Sequence, residues 1–145
     1  MRVLLLGSGG REHALARTLA ADNDVTDLHA APGNPGIAAV AATHPVDLAD
    51  IAAVTALARS TAPALVVVGP EAPLVAGLGD ALRAAGIACF GPGRRAAMLE
   101  GSKSFAKQVM MAAGIPTARA RTCTSEDEAA AALAEFGPPF VVKAD

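Results

Sequence analysis

The sequence contains no tryptophan and no tyrosine, and four phenylalanines are its only benzenoid rings. A core built from it must be aliphatic and filled out with alanine, a composition that suits close packing of helices on a sheet. Cysteine is nearly as scarce. Cys89, in the apolar run I-A-C-F, reads as a buried packing residue, and Cys123 lies among threonines in a loop; neither stands in a metal or redox spacing. His13, His29 and His44 are too scattered to suggest a metal site. The 12 Lys and Arg against 14 Asp and Glu form no basic run, which argues against a nucleic-acid footprint or a polybasic membrane segment. No apolar stretch approaches the length of a membrane span. Met1-Arg2 leads straight into a strand pattern rather than a signal peptide. Together with the few cysteines, this makes a reducing cytoplasm the expected compartment. At 145 residues and 52% hydrophobic, the chain is long enough to bury one substantial core.

Glycine is well represented, and its placement carries information. Val3–Leu6 is a short apolar run of the kind that forms a buried strand. Gly7, Gly9 and Gly10 follow at once, and a helical pattern opens at Arg11. A strand, a glycine turn and a helix N-terminus together favour an anion, because unpaired N–H groups and the positive end of the helix dipole converge there. The turn is not a full dinucleotide fingerprint. The third glycine of G-x-G-x-x-G would fall on Glu12, and no acid stands at the end of the second strand, where a ribose hydroxyl would need one. A nicotinamide-dependent oxidoreductase is therefore disfavoured. Positions 12, 15, 16 and 19 share a helical face. Leu15, Ala16 and Leu19 are expected on the sheet, with Glu12 above them at a crevice. Two roles for Glu12 stay open: a ligand-facing carboxylate, or a first-turn acid that complements the dipole.

Strands and helices alternate, which predicts an α/β fold with a Rossmann-like parallel sheet. The expected strands are Val3–Leu6, about Val25–Ala30, a short one at His44–Val46, Leu65–Val68 and Ile87–Phe90. The expected helices run from about Arg11 to Ala21, Asp50 to Arg59 and Val75 to Ala85, the last closed by Gly86. Ile37–Ala42 fits either type. The turns G-S-G-G, A-P-G-N, G-P-E-A-P and G-P-G all follow strands. In a parallel sheet they must line one rim, where ligands bind. Glu71 stands in the third turn between Pro70 and Pro73, which stiffen the loop. Because Glu12 faces the same rim, Glu71 is read as a ligand-facing carboxylate rather than a helix-start acid.

Past position 100 the pattern changes. S-K-S-F-A-K-Q-V-M-M-A-A-G-I-P reads as a helix with Ser102 as N-cap, Gly114 after its end and Phe105, Val109 and Ala112 on its apolar face. Lys103 is oddly placed, since a cation in a first turn opposes the dipole by roughly 0.3–1 kcal/mol. An anionic ligand would remove that conflict; so would ordinary solvation with Glu100 nearby. Thr117–Thr122 reads as a strand, Glu126–Phe136 as a helix with a Ser125–Glu128 capping box, and F-V-V-K-A-D as a closing strand. One strand–helix–strand unit cannot bury its own face, so the chain is expected to be the N-terminal piece of a longer protein.

The segments G-S-G-G-R-E-H-A-L, A-P-G-N-P-G, V-V-G-P-E-A-P-L-V-A-G, F-G-P, L-E-G-S-K-S-F-A-K, I-P-T-A and V-V-K-A-D, in this order, resemble the phosphoribosylamine–glycine ligase family of the ATP-grasp ligases. The resemblance covers the whole chain. It implies a pre-ATP-grasp substrate-binding domain over residues 1–100, and a linking helix with the start of an ATP-grasp domain over 101–145. The implied reaction joins glycine to 5-phosphoribosylamine at the expense of ATP, through a glycyl phosphate, in purine synthesis. Gly9, Gly10, Arg11, Glu12, Gly33, Asn34 and Glu71 would line the phosphoribosyl pocket, and Lys103 and Lys143 would hold ATP phosphates. Mg²⁺ or Mn²⁺ would be held by acids beyond residue 145, as would the glycine-rich ATP loop, so the 145 residues alone are expected not to turn over. The rival readings are the front domain of another ATP-grasp carboxylase or transformylase, and a non-catalytic Rossmann-like binding module. The sequence carries no signal for oligomeric state.

Overall fold

A computed structural model describes residues 1–145 throughout. The chain divides into two compact units, Met1–Ala97 and Met98–Asp145. The first holds a five-stranded sheet formed by β1 (Arg2–Gly7), β2 (Asp27–Pro32), β3 (Ala42–Thr43), β4 (Leu65–Val68) and β5 (Cys89–Phe90). Every pairing is parallel, in the order β3-β2-β1-β4-β5. The helices between them are α1 (Gly10–Ala20), the single turn α2 (Pro35–Ala38), α3 (Ile51–Thr61), α4 (Glu71–Ala76) and α5 (Leu78–Ala84).

The central strand explains the order. In β1 every residue from Val3 to Gly7 is buried. Successive side chains leave opposite faces of a strand, so Val3 and Leu5 join Leu28, Ile37 and Val67 in one cluster. Leu4 and Leu6 join Val54, Val66, Leu78 and Leu82 in the other. A strand that past its first residue, Arg2, is apolar on both faces sits mid-sheet under two layers of helix. From β1 the chain builds outward through β2 and β3, then returns to the other side for β4 and β5. The order therefore reverses between β1 and β4, the switch point at which open α/β sheets bind ligands.

Local chemistry sets the element ends. Asn34 caps α2 by accepting from the Ile37 N–H at 2.9 Å, and Asp50 caps α3 by accepting from the Ala53 N–H at 2.9 Å. The expected helix Val75–Ala85 is two helices. Gly77 adopts a φ of 107° and breaks the ladder between α4 and α5, a conformation open to glycine and costly to other residues. Leu15 also departs from expectation, being exposed, whereas Ala16 is fully buried. α1 meets the sheet on a narrow stripe, with Leu19 only partly covered. The short strand expected at His44–Val46 lies two residues earlier, and the ambiguous Ile37–Ala42 divides between α2 and β3.

Beyond β5 come α6 (Arg94–Gly101), which sequence periodicity did not flag and which contains the division between units, α7 (Lys103–Ala112) and α8 (Glu126–Phe136). The Ser102 hydroxyl accepts from the Phe105 N–H at 3.1 Å, as an N-cap should. At α8 the Ser125 hydroxyl accepts from the Glu128 N–H, while the Glu128 carboxylate accepts from the Thr124 N–H at 2.7 Å, one residue outside the expected box. That backbone donor holds the Glu128 carboxyl below its ordinary range. Neither Thr117–Thr122 nor Phe140–Asp145 forms a strand. Both are extended in sequence character, but a strand is defined by ladder hydrogen bonds, and no element of the chain pairs with either. No residue of α7 is buried. No helix is long and apolar enough to cross a membrane.

Leu6 is fully buried beside the switch point. Leu6→Ala is expected to destabilise the chain by about 2–5 kcal/mol, the usual range for removing a packed leucine, read as a lower urea midpoint with an unchanged denaturant slope.

Candidate functional site

Three of the loops at the carboxyl ends of the strands are tied together. The Gly33 N–H donates to the Gly7 carbonyl at 3.1 Å, and Asn34 Nδ2 donates to the Ser8 carbonyl at 2.8 Å. The Gly69 N–H donates to the Leu6 carbonyl at 3.0 Å. The turns after β1, β2 and β4 thus form one continuous rim across the switch point. Gly33 takes a φ of 76°, which lets the chain leave β2 sharply and return toward Gly7.

Glu12 lies at the centre of this rim and is only 4% exposed. Its Oε2 accepts from the Gly9 N–H at 2.8 Å, and its Oε1 lies 3.2 Å from Arg11 Nε. The rest of the side chain lies against Gly7 and Gly69. A β-carbon at either position would collide with it, and one at Gly9 would lie 2.8 Å from Oε2. Buried carboxylates survive only when hydrogen-bonded or paired, and Glu12 is both. Of the two roles left open by the sequence, the helix-start role is realised, through a bond to the residue preceding α1. The same geometry holds the carboxylate at the crevice.

Arg11 extends from Glu12 to Glu71, its NH2 lying 3.5 Å from Glu71 Oε2. At 58% and 49% side-chain exposure, such a pair contributes under about 1 kcal/mol. Its significance is orientation: one cation over the glycine turn, flanked by a buried carboxylate and an exposed one. Asn34 is half-buried, with its oxygen committed to Ile37 and its amide nitrogen to Ser8, so it fixes the turn that it caps. Gly9 and Gly10 are exposed at the start of α1. The structure therefore brings Gly9, Gly10, Arg11, Glu12, Gly33, Asn34 and Glu71 together. Gly7 and Gly69, missed as partners of Glu12, were legible only as glycines following strands. A shallow depression along Ala14, Arg17, Thr18, Ala21 and Asp22 is open helix surface, not an enclosed site.

Lys103 and Lys143 belong to the second unit and are both exposed. The Asp145 carboxylate accepts from the Ser104 N–H at 3.0 Å and from the Ser102 hydroxyl at 3.1 Å, with a further short bond from the Ser104 hydroxyl. It ties the segment carrying Lys143 to the helix end carrying Lys103. An anion therefore occupies the first turn of α7, which relieves the conflict between Lys103 and the dipole. Arg119 and Arg121 both reach the Glu135 carboxylate, at 2.9 and 2.7 Å, and Arg119 stacks over the Phe136 ring at 4.6 Å. No group of three or more His, Cys, Asp or Glu side chains is arranged to hold a metal ion. Cys89 packs partly buried against the core, and burial pushes its thiol up.

The family model for the phosphoribosylglycinamide synthetase N domain matches residues 1–100. The phosphoribosylamine–glycine ligase of Streptomyces coelicolor is 63% identical over the whole chain, which covers 35% of that protein. The chain thus spans about a third of the length of the curated relatives it matches. The crystal structure of the phosphoribosylamine–glycine ligase of Thermotoga maritima is similar over 96% of this chain and 32% of that one, with a TM-score of 0.71 and 31% identity. The N5-carboxyaminoimidazole ribonucleotide synthetase of Thermus thermophilus shares the fold, with a TM-score of 0.66 and 20% identity over 94% of this chain and 37% of that one.

Two tests follow from this geometry. Gly69→Ala is expected to cost about 1–3 kcal/mol, the range for overpacking, and adding Glu12→Ala should recover part of that loss. A urea double-mutant cycle reads the coupling. Hydrogen bonds from Ser104 and Ser102 hold the Asp145 carboxyl down to about 2 from an ordinary 3.8. Its folded-state pKa is depressed, so the contact with α7 is present above 3.8 and lost only as pH falls through about 2. The Ser104 amide resonance is expected to move in that lower window and not around pH 4.

Proposed function

The chain belongs to the phosphoribosylglycinamide synthetase N-domain family, and we propose that it serves as the front part of an ATP-dependent ligase that joins glycine to 5-phosphoribosylamine, giving glycinamide ribonucleotide, ADP and phosphate. One observation carries the proposal. At the switch point between β1 and β4, Arg11 spans a buried and an exposed carboxylate directly above a glycine turn and a helix N-terminus. A phosphate suits the Gly10 N–H at the start of α1 and the Arg11 cation, the Gly9 N–H being taken by Glu12. Ribose hydroxyls and an amine suit the Glu71 carboxylate, and Glu12 holds the turn to which the phosphate binds. Gly33 and Asn34 close the rim on the β2 side. The 63% identity with a ligase of this name supports this assignment over the carboxylase and transformylase rivals.

In this proposal residues 1–100 form the substrate-binding front domain, and 101–145 the linking helix and the beginning of the ATP-grasp domain. Lys103 and Lys143 are exposed ammonium groups on segments that Asp145 joins, a donor chemistry that fits the phosphates of ATP. Bound ATP would supply the phosphoryl group that activates the glycine carboxylate as a glycyl phosphate. No three His, Cys, Asp or Glu side chains gather here to hold a metal ion, and in this proposal Mg²⁺ or Mn²⁺ would be held by acids outside these residues and would offset the phosphate charge. A cytoplasmic location accompanies the proposal.

Glycinamide ribonucleotide titrated into the chain should shift the amide resonances of Gly9, Gly10 and Asn34. Arg11→Ala should weaken that binding roughly 10–100-fold, as removal of a charged hydrogen-bonding partner does. Shifts confined to other surfaces, or none at all, would overturn the proposal.

A further inference from the structure

The rim leans on a histidine pair that the proposed function leaves unused. His29 on β2 and His44, just past β3, stack with ring centroids 5.0 Å apart. His29 Nδ1 lies 2.8 Å from His44 Nε2. On its other side His29 Nε2 is 3.2 Å from Asp27 Oδ1, within ion-pair distance but out of line for a hydrogen bond. Asp27 is itself paired with Arg2 Nε on β1 at 2.6 Å. On the same sheet face α3 presents Val54 and Ala58. The acids that follow His44, Asp47 and Asp50, accept from the backbone N–H groups of Ala49 and Ala53.

The 2.8 Å contact requires one donor and one acceptor. With both rings neutral, Asp27 favours the proton on His29 Nε2, so His29 Nδ1 accepts and His44 Nε2 donates. One added proton fits. A doubly protonated His29 then donates from Nδ1 to His44 Nε2, whose own proton moves to Nδ1, and Asp27 balances the charge. A second added proton does not fit. Two N–H groups would point at each other across 2.8 Å, on two cations with stacked rings.

What the pair holds in place is the rim. The His44 N–H donates to the Ala30 carbonyl at 2.9 Å, closing the short β2–β3 edge. The adjacent Thr43 methyl lies against Gly33, where a β-carbon would come within 2.8 Å of it. Gly33 in turn donates to Gly7. We propose that His29 and His44 form a one-proton clasp, and that uptake of a second proton opens the β2–β3 edge, withdraws Thr43 from Gly33 and loosens the Gly33–Asn34 turn. The proposal rests on the preceding functional reading only for calling that turn part of a binding site.

The test follows the imidazole and amide resonances of the chain from about pH 8 to about pH 4, a range that brackets ordinary imidazole titration. The expected result is one proton taken up by the pair without change at Gly33. A second is then taken up at lower pH, together with shifts at Gly33 and Asn34 and faster hydrogen exchange of the His44 amide. In His44→Gln, which can still donate to His29, the lower transition should vanish while the fold is retained. In His29→Gln, which removes the facing ring, the shifts at Gly33 and Asn34 should vanish as well. Two protons taken up together with the His44 amide still protected would overturn the clasp. So would rim shifts that persist unchanged in His44→Gln. None of these readouts uses a substrate, so failure to bind glycinamide ribonucleotide would leave them independent.

Discussion

A carboxylate buried among glycines organises the first unit. Glu12 occupies the space that side chains at Gly7, Gly9 and Gly69 would otherwise fill. A buried carboxylate needs partners, and it finds them in the Gly9 N–H and the Arg11 guanidinium. The loops after β1 and β4 must therefore be bare of side chains where they meet it. The glycines of this rim are thus explained in two ways. Gly7 and Gly33 have backbone angles that favour glycine, whereas Gly9 and Gly69 are glycine because something else is already there.

From that seat the rest of the rim follows. With Glu12 fixed, Arg11 on the preceding position is directed outward toward Glu71. The Gly7 carbonyl is presented to Gly33, which brings the β2 loop and Asn34 into the same ring of contacts. The sheet contributes the parallel direction that puts these loops on one edge, and β1 contributes the burial that makes the edge rigid. The polar groups of the rim stand on loops, while β1 past Arg2 and β4 beneath them are aliphatic.

Much of this was legible because the signals are local. Leu65–Val68 is a β-branched run bounded by Gly and Pro, and Glu126–Phe136 starts with a serine cap; both form as read. Glu12 and Glu71 could be placed on one rim because parallel strands leave no other edge. What escaped depends on tertiary partners. Gly77 breaks a helix that its hydrophobic pattern carries straight through. Leu15 matches the apolar spacing of α1 but falls outside the narrow stripe that touches the sheet. Thr117–Thr122 has strand composition with no strand to pair with. His29 and His44 looked scattered because their meeting depends on the register of β2 against β3, in which Ala30 lies opposite Thr43.

The brevity of the two outer strands has a consequence for life in a crowded solution. β3 and β5, the outermost strands of the sheet, are two residues each. An outer strand exposes unpaired backbone groups on which a foreign chain can build, and long flat ones seed aggregates. Two residues give an intruding strand almost nothing to grip. The aliphatic middle of the sheet is thus bordered by outer strands with little straight length on which a foreign strand could pair.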